Sequence, residues 1–151
     1  MPKLLRNVLA VLAGIAIGGT VNMALVFISP WIIPPPAGVD VSNAEGIRAS
    51  MHLFEPRHFI MPFLAHAIGT LVGAWVAYVI AASHKSQFAY AIGLAFLCGG
   101  IAASRMIPAP AWFTALDLVI AYLPMAWLAT WIGTRLNPVA PHASAGPPWG
   151  D

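Results

Sequence analysis

The sequence predicts an all-α integral membrane protein, a four-helix bundle, and three observations support this fold. Of the 151 residues, 60% are hydrophobic and only 8% are charged, whereas a soluble domain typically carries about 25% charged residues. The mean hydropathy is +0.80. Apolar residues form four long blocks, each able to span a bilayer as a helix of about 20 residues. We therefore predict one transmembrane domain, residues 1–136, with spans at about 4–29, 59–82, 88–107 and 111–135.

The charge and cysteine content exclude other classes of protein. The formal net charge is +2 and comes from seven basic residues spread along the chain, which is too few for a nucleic-acid surface. Cys98 is the single cysteine, so the chain has neither a disulfide framework nor a cysteine-rich metal site. We expect Cys98 to be a small buried hydrophobic residue.

Two basic residues, Lys3 and Arg6, precede the long apolar stretch of the first span. This pattern resembles a signal peptide, but the apolar region continues past Phe27, beyond the length of a typical signal core, so we expect it to be retained. Gly14 and Gly18 recur at helical spacing and therefore share one face. Pro30 is expected to end the helix.

The loop after the first span starts with the stiff segment Pro34-Pro35-Pro36. Ser42 and Glu45 then have the spacing of a capping box. They predict a short amphipathic helix of about ten residues that lies at the membrane interface in the first outer loop.

The second and third spans are joined by the polar turn 83–87, which is short enough to make them antiparallel neighbours. Small residues recur every four positions in both spans, as they do in the first. Such residues let membrane helices approach closely. The predicted packing residues are Gly14, Gly18, Ala65, Gly69, Gly73, Ala77, Ala95 and Gly99.

The fourth span follows the short turn 108–110 and contains Pro124, which predicts a kink near its middle. Trp112 and Trp131 lie near its two ends, as interfacial anchors do. Residues 137–151 are rich in Pro, Ala, Ser and Gly. That composition cannot form a core and predicts a flexible tail.

Basic residues predict the orientation of the bundle. Lys3, Arg6, Lys85 and Arg135 all fall on one side of the predicted spans. The positive-inside rule therefore predicts an N-in/C-in, multi-pass protein of the bacterial inner membrane.

Four polar residues lie inside the predicted spans and form a candidate intramembrane cluster: Asn22, His66, Arg105 and Asp117. All four fall in the outer leaflet, and three of them lie roughly 9–10 Å below its surface. Polar groups in lipid are expected to face the bundle interior and to pair. The turn 108–110 predicts a salt bridge between Arg105 and Asp117. Two interpretations remain open, a structural staple and the charged floor of an outward-facing cavity with His66 as its titratable member.

The sequence contains no convincing catalytic, cofactor-binding or metal-binding motif. His52, Glu55 and His58 are a possible zinc set. However, Pro56 interrupts the helix between them, and we expect surface histidines there instead. The serines stand at helix ends without a recognisable motif. We therefore predict a protein that is not an enzyme and needs no cofactor.

Three segments resemble a group of small bacterial four-helix membrane proteins of unknown function, with a PPPxG-type loop. They are the loop 34–40, the small-residue segment 65–73, and the segment 106–113 ahead of Asp117. The resemblance covers about residues 4–136. Those proteins often carry an acidic residue in the outer part of the first helix, where this chain has Asn22. The resemblance implies the topology of the chain and gives no information about its activity.

Two functions fit these observations. The first is a non-enzymatic accessory or structural membrane protein that packs through small-residue faces, on a second copy or on a larger membrane complex. The alternative is a small transporter or channel-like module with an outward-facing polar pocket. In both cases the partners are the lipid bilayer and other membrane proteins, and nucleic acid is excluded.

Overall fold

The computed structural model describes residues 1–136, and the regular structure within them is entirely helical. Two 3₁₀ helices, Met51–Leu53 and Pro56–Phe59, precede the second long helix. The predicted tail, 137–151, lies outside the described residues. The α-helices in chain order are α1 (Lys3–Ile32), α2 (Ala44–Ser50), α3 (Ile60–Ile80), α4 (Lys85–Met106), α5 (Ala111–Ile120) and α6 (Leu123–Leu136).

Four segments within residues 1–136 are long and apolar enough to cross a membrane. They are Lys3–Ile32, Pro56–Ile80, Lys85–Met106 and Ala111–Leu136. Each exceeds the length of about 20 residues that a bilayer requires. The predicted number of spans is therefore confirmed, and the chain has the features of a multi-pass membrane protein.

Two prolines affect the helices. Pro30 was expected to end α1 but lies inside it, and α1 continues to Ile32, because a proline in the last turn removes only one helical hydrogen bond. The fourth span is interrupted at 121–122, just before Pro124 and near its middle, where the sequence predicted a kink. Since Pro124 has no N–H for the carbonyl of Ile120, α5 ends at Ile120 and α6 begins at Leu123.

Helix α3 is the centre of the bundle, and it packs on α1, α4 and α6. Its closest approach is to α1, where Gly14 and Gly18 face Gly69 and Gly73. A Cβ atom built on Gly18 would lie 2.6 Å from the carbonyl oxygen of Gly69. The two backbones therefore touch, which only glycine permits at this distance.

The half of the bundle remote from residues 33–59 is packed with apolar side chains. Small residues from α3, α4 and α6 surround Ile92, which is fully buried. Within residues 1–136, the core of this half of the bundle contains no polar cluster. The buried members of this apolar plug are Ala74, Ala77, Tyr78, Ala89, Ile92, Ala126 and Ala129.

The first turn of α1 caps the end of α3. Arg6 donates from Nε to the carbonyl oxygen of Ile80 at 2.6 Å, and Asn7 Oδ1 accepts from the N–H of Ala82 at 2.8 Å. The last carbonyl groups of a helix have no partner within the helix and need one from outside it. These bonds fix the antiparallel register of α1 and α3.

Part of the small-residue face of α4 is not packed within residues 1–136. Ala95 and Gly99 are exposed, and no atom of another helix lies within 4 Å of a Cβ built on Gly99. Inside the bundle, α4 turns a different face, with Ile92 and Gly93, towards α3 and α6. Packing of Ala95 and Gly99 against a second copy or another membrane protein stays a prediction. Cys98 is also exposed, and its predicted burial is wrong, because α4 turns that different face inwards.

The loop before α3 is ordered by its own polar groups. Asn43, and not Ser42, caps α2, because Asn43 Oδ1 accepts from the N–H of Gly46 at 2.8 Å. Asp40 accepts from Ser42 and Asn43, and these hydrogen bonds, led by that of Ser42, lower the pKa of the exposed Asp40 carboxyl below its ordinary value. Arg48 of α2 donates to the carbonyl oxygen of Met106 and so ties the loop to the end of α4.

Candidate functional site

An imidazole–carboxylate pair lies between α3 and α5. His66 stands on the second turn of α3, and its Nδ1 is 2.9 Å from both carboxylate oxygens of Asp117 on α5. The Asp117 side chain is only 6% exposed, whereas that of His66 is 26% exposed. The protein therefore encloses the carboxylate of Asp117, and the imidazole of His66 separates that carboxylate from open space.

Tyr122 completes this pair as a third member. Its hydroxyl donates to Asp117 Oδ2 at 3.0 Å, and its ring stacks on His66 with centroids 5.8 Å apart. Gly100 of α4 provides the space for the hydroxyl, because a Cβ built there would collide with it. We call His66, Asp117 and Tyr122 the polar triad.

The break between α5 and α6 assembles the polar triad. In a regular helix, positions five residues apart point roughly 140° away from each other. Tyr122 reaches Asp117 because the helix is interrupted at 121–122. Sequence patterns did not predict the role of Tyr122, and only the nearby Pro124 pointed to irregular backbone there.

Asn22 lies close to the polar triad and, among the described residues, forms no hydrogen bond with it. It packs against Gly69, and together with His66 it lines a cavity between α1 and α4. Its Oδ1 atom is buried and has no hydrogen-bond partner among the described residues. The structure thus brings Asn22, His66 and Asp117 to one level of the bundle.

Arg105 stands apart from the other predicted cluster members. It is exposed near the end of α4, and within residues 1–136 it forms no salt bridge. The predicted Arg105–Asp117 salt bridge is therefore wrong. The carboxylate of Asp117 instead points inwards to His66 and Tyr122, because α4 turns Arg105 towards the outside of the bundle.

Two members of the polar triad, His66 and Asp117, lie at the floor of a cavity of about 300 Å³, here called the main cavity. Its walls come from α1, α3, α4 and α5, and the loop residues Ile47, Met51 and Phe54 lie over it. Most of its lining is apolar. The polar residues that line it are Ser29, His58, His66, Ser104, Thr114 and Asp117.

A second space of about 230 Å³, the side cavity, lies between α1 and α4. His66, Gly100 and Ala103 line both cavities, so the imidazole stands at their common boundary. The exposed Ala95 and Gly99 border the side cavity. Neither cavity is lined by a lysine or an arginine among the described residues.

The possible zinc residues do not converge. Within the described part of the chain, no three His, Cys, Asp or Glu side chains are close enough to hold a metal ion. His58 Nδ1 accepts from the backbone N–H of Glu55 at 2.8 Å. That bond occupies one ring nitrogen and leaves the hydrogen of the neutral ring on Nε2.

Comparisons with known proteins give no further information on this site. The sequence matches no family model, and no curated protein or solved structure is similar to it.

Proposed function

We propose that this chain is a multi-pass protein of the bacterial inner membrane that binds a small, mainly apolar molecule in an outward-facing cavity. The observation that carries the proposal is the main cavity with His66 and Asp117 at its floor. Ligand sites in proteins are typically clefts of about 300–1,000 Å³, mostly apolar, with a few placed polar groups. The main cavity has this composition.

The proposed orientation has both termini in the cytoplasm, in line with the basic residues at the ends of the spans. The main cavity then opens on the outer side, below residues 33–59. In this arrangement α2 lies at the membrane interface. It has no buried residue, and its Ile47 lines the cavity.

A binding module fits better than a channel. Ion and solute pathways need polar groups or water-filled space across the whole membrane. Here the apolar plug around Ile92 fills the other half of the bundle.

Benzophenone, an apolar photoreactive probe, tests the proposal in lipid nanodiscs. We expect saturable photolabelling of residues that line the main cavity, mapped by peptide mass spectrometry. Ala103→Phe should reduce this labelling several-fold, because Ala103 lines the cavity. Ala102→Phe is the matched control, since its neighbour Ala102 is exposed and lines neither cavity. Labelling that does not saturate and is equal in both variants would contradict the proposal.

A second candidate is the accessory or structural protein. One observation favours it, the exposed small-residue face of α4 with Ala95 and Gly99. In membranes such faces pack against other helices. Under this alternative, benzophenone labels no saturable site, and a protein partner or a second copy remains bound after purification in mild detergent.

A further inference from the structure

We propose that the His66–Asp117 pair is neutral overall and presents the imidazole Nε2–H to the main cavity, so that the bound molecule is a lipophilic carbonyl compound. The carbonyl oxygen accepts the hydrogen bond from Nε2–H, and the apolar body fills the cavity. This inference rests on the proposed function, because it names the class of molecule that the main cavity takes.

Geometry leaves one nitrogen of His66 for a ligand. Nδ1 is held by both oxygens of Asp117 at 2.9 Å. Within residues 1–136, Nε2 has no hydrogen-bond partner, and it is not among the buried unpaired atoms. The imidazole lines both cavities, so Nε2 is the nitrogen of His66 that remains for a ligand at their common boundary.

Charge decides whether Nε2 donates or accepts. A carboxylate beside a neutral imidazole would carry one negative charge, and Asp117 is only 5% exposed. No lysine or arginine lines the two cavities among the described residues. An uncompensated charge in an apolar membrane environment is costly. We therefore expect the pair to hold one shared proton between Nδ1 and the carboxylate.

The shared proton fixes the hydrogen on Nε2. If the proton is on the carboxyl group, Nδ1 accepts and the neutral ring carries its hydrogen on Nε2. If the proton is on Nδ1, the ring is an imidazolium and both nitrogens carry hydrogen. Nε2 is a donor in both arrangements, and a donor needs an acceptor such as a carbonyl oxygen.

The groups around His66 favour a ligand that accepts a hydrogen bond. The Tyr122 hydroxyl already donates to Asp117, Asn22 of α1 is uncharged, and α4 contributes no titratable side chain to the main cavity. The other titratable residue of the lining is His58, and its free nitrogen also carries a hydrogen, because Nδ1 accepts from Glu55. The imidazoles thus present N–H groups to the cavity.

The test compares benzophenone with diphenylmethane, which has nearly the same shape and lacks the carbonyl. Both are measured in nanodiscs, with correction for partitioning into lipid. We expect benzophenone to bind about 3- to 10-fold more tightly, the ratio that one net hydrogen bond gives.

Two variants separate this role from a structural one. His66→Phe keeps a ring for the stack on Tyr122 and should abolish the preference. Asp117→Asn should keep the preference, because the amide N–H donates to Nδ1 and the hydrogen stays on Nε2. Ser104→Ala is the control, since Ser104 lines the cavity but its hydroxyl donates to Ile101.

An infrared measurement on the unaltered protein keeps the test decisive if a variant does not fold. The stretching band of a ¹³C-labelled benzophenone carbonyl should shift to lower wavenumber when the probe is bound. Equal binding of the two probes, an unshifted carbonyl band, or a preference that persists in His66→Phe overturns the carbonyl assignment and leaves the cavity as a binding site. Absence of saturable binding for both probes overturns the proposed function as well.

Discussion

Tyr122 links the backbone break to the polar floor of the main cavity. Its hydroxyl is the second partner of the Asp117 carboxylate, and its ring supports the imidazole of His66. A buried carboxylate that loses a hydrogen bond is left partly unsatisfied. Tyr122 is therefore expected to stabilise the polar triad and to hold His66 in position.

Replacing the hydroxyl tests this role. We expect Tyr122→Phe to lower the free energy of unfolding by about 1 kcal/mol, because one hydrogen bond to Asp117 is lost while the ring stack remains. The measurement is reversible unfolding by SDS in mixed micelles. Tyr90→Phe on the exposed side of α4 is the control and should change stability little. Equal losses in the two variants would show that the hydroxyl of Tyr122 contributes nothing specific.

At the scale of single residues, the sequence predicted the height of a residue along the bundle better than the direction in which its side chain points. The distance from the span ends correctly brought His66 and Asp117 to one level, as their contact shows. It could not give the rotation of α4 about its axis, which turns Arg105 outwards. It also could not give the contact of Tyr122, because that contact depends on a break in the helix.

At the scale of elements, the glycine contact between α1 and α3 is made through the backbone. At Gly14, Gly18 and Gly73 the atom nearest to a built Cβ is a backbone carbonyl oxygen, which cannot move aside as a side chain can. Overpacking such an interface forces a backbone shift.

The neighbouring glycines of α1 offer a matched test. Gly18→Ala should destabilise the protein by about 1–3 kcal/mol, because the new Cβ would lie 2.6 Å from the carbonyl oxygen of Gly69. Gly19→Ala should leave stability unchanged or raise it by up to about 1 kcal/mol, since nothing lies within 4 Å and alanine favours the helix. Unfolding by SDS compares the two. A similar loss in both variants would argue against direct backbone packing.

The predicted spans were correct in number and less accurate at their ends. Long apolar blocks locate spans well because a bilayer requires a fixed length of apolar helix. Their ends depend on local hydrogen bonds, as the continuation of α1 through Pro30 and the cap by Asn43 show. The outward face of α4 was not predictable from small residues alone, since small residues suit contacts within a chain and between chains equally.

At the scale of the whole molecule, the orientation can be measured by thiol labelling. In a Cys98→Ser background, Ser42→Cys should react with a membrane-impermeant maleimide in intact cells. Ser86→Cys should react only after permeabilisation, because the proposed N-in/C-in topology places the start of α4 in the cytoplasm. The reverse pattern would invert the proposed topology and turn the main cavity towards the cytoplasm.

The apolar plug around Ile92 has a kinetic consequence for any molecule that enters the main cavity. Because the apolar plug fills the other half of the bundle, a molecule in the main cavity leaves through the opening by which it entered. Occupancy then equilibrates with a single compartment and follows the concentration there, whatever the gradient across the membrane. If the main cavity binds a molecule as proposed, the bundle in this form takes it up and releases it at one face, without net transfer between compartments.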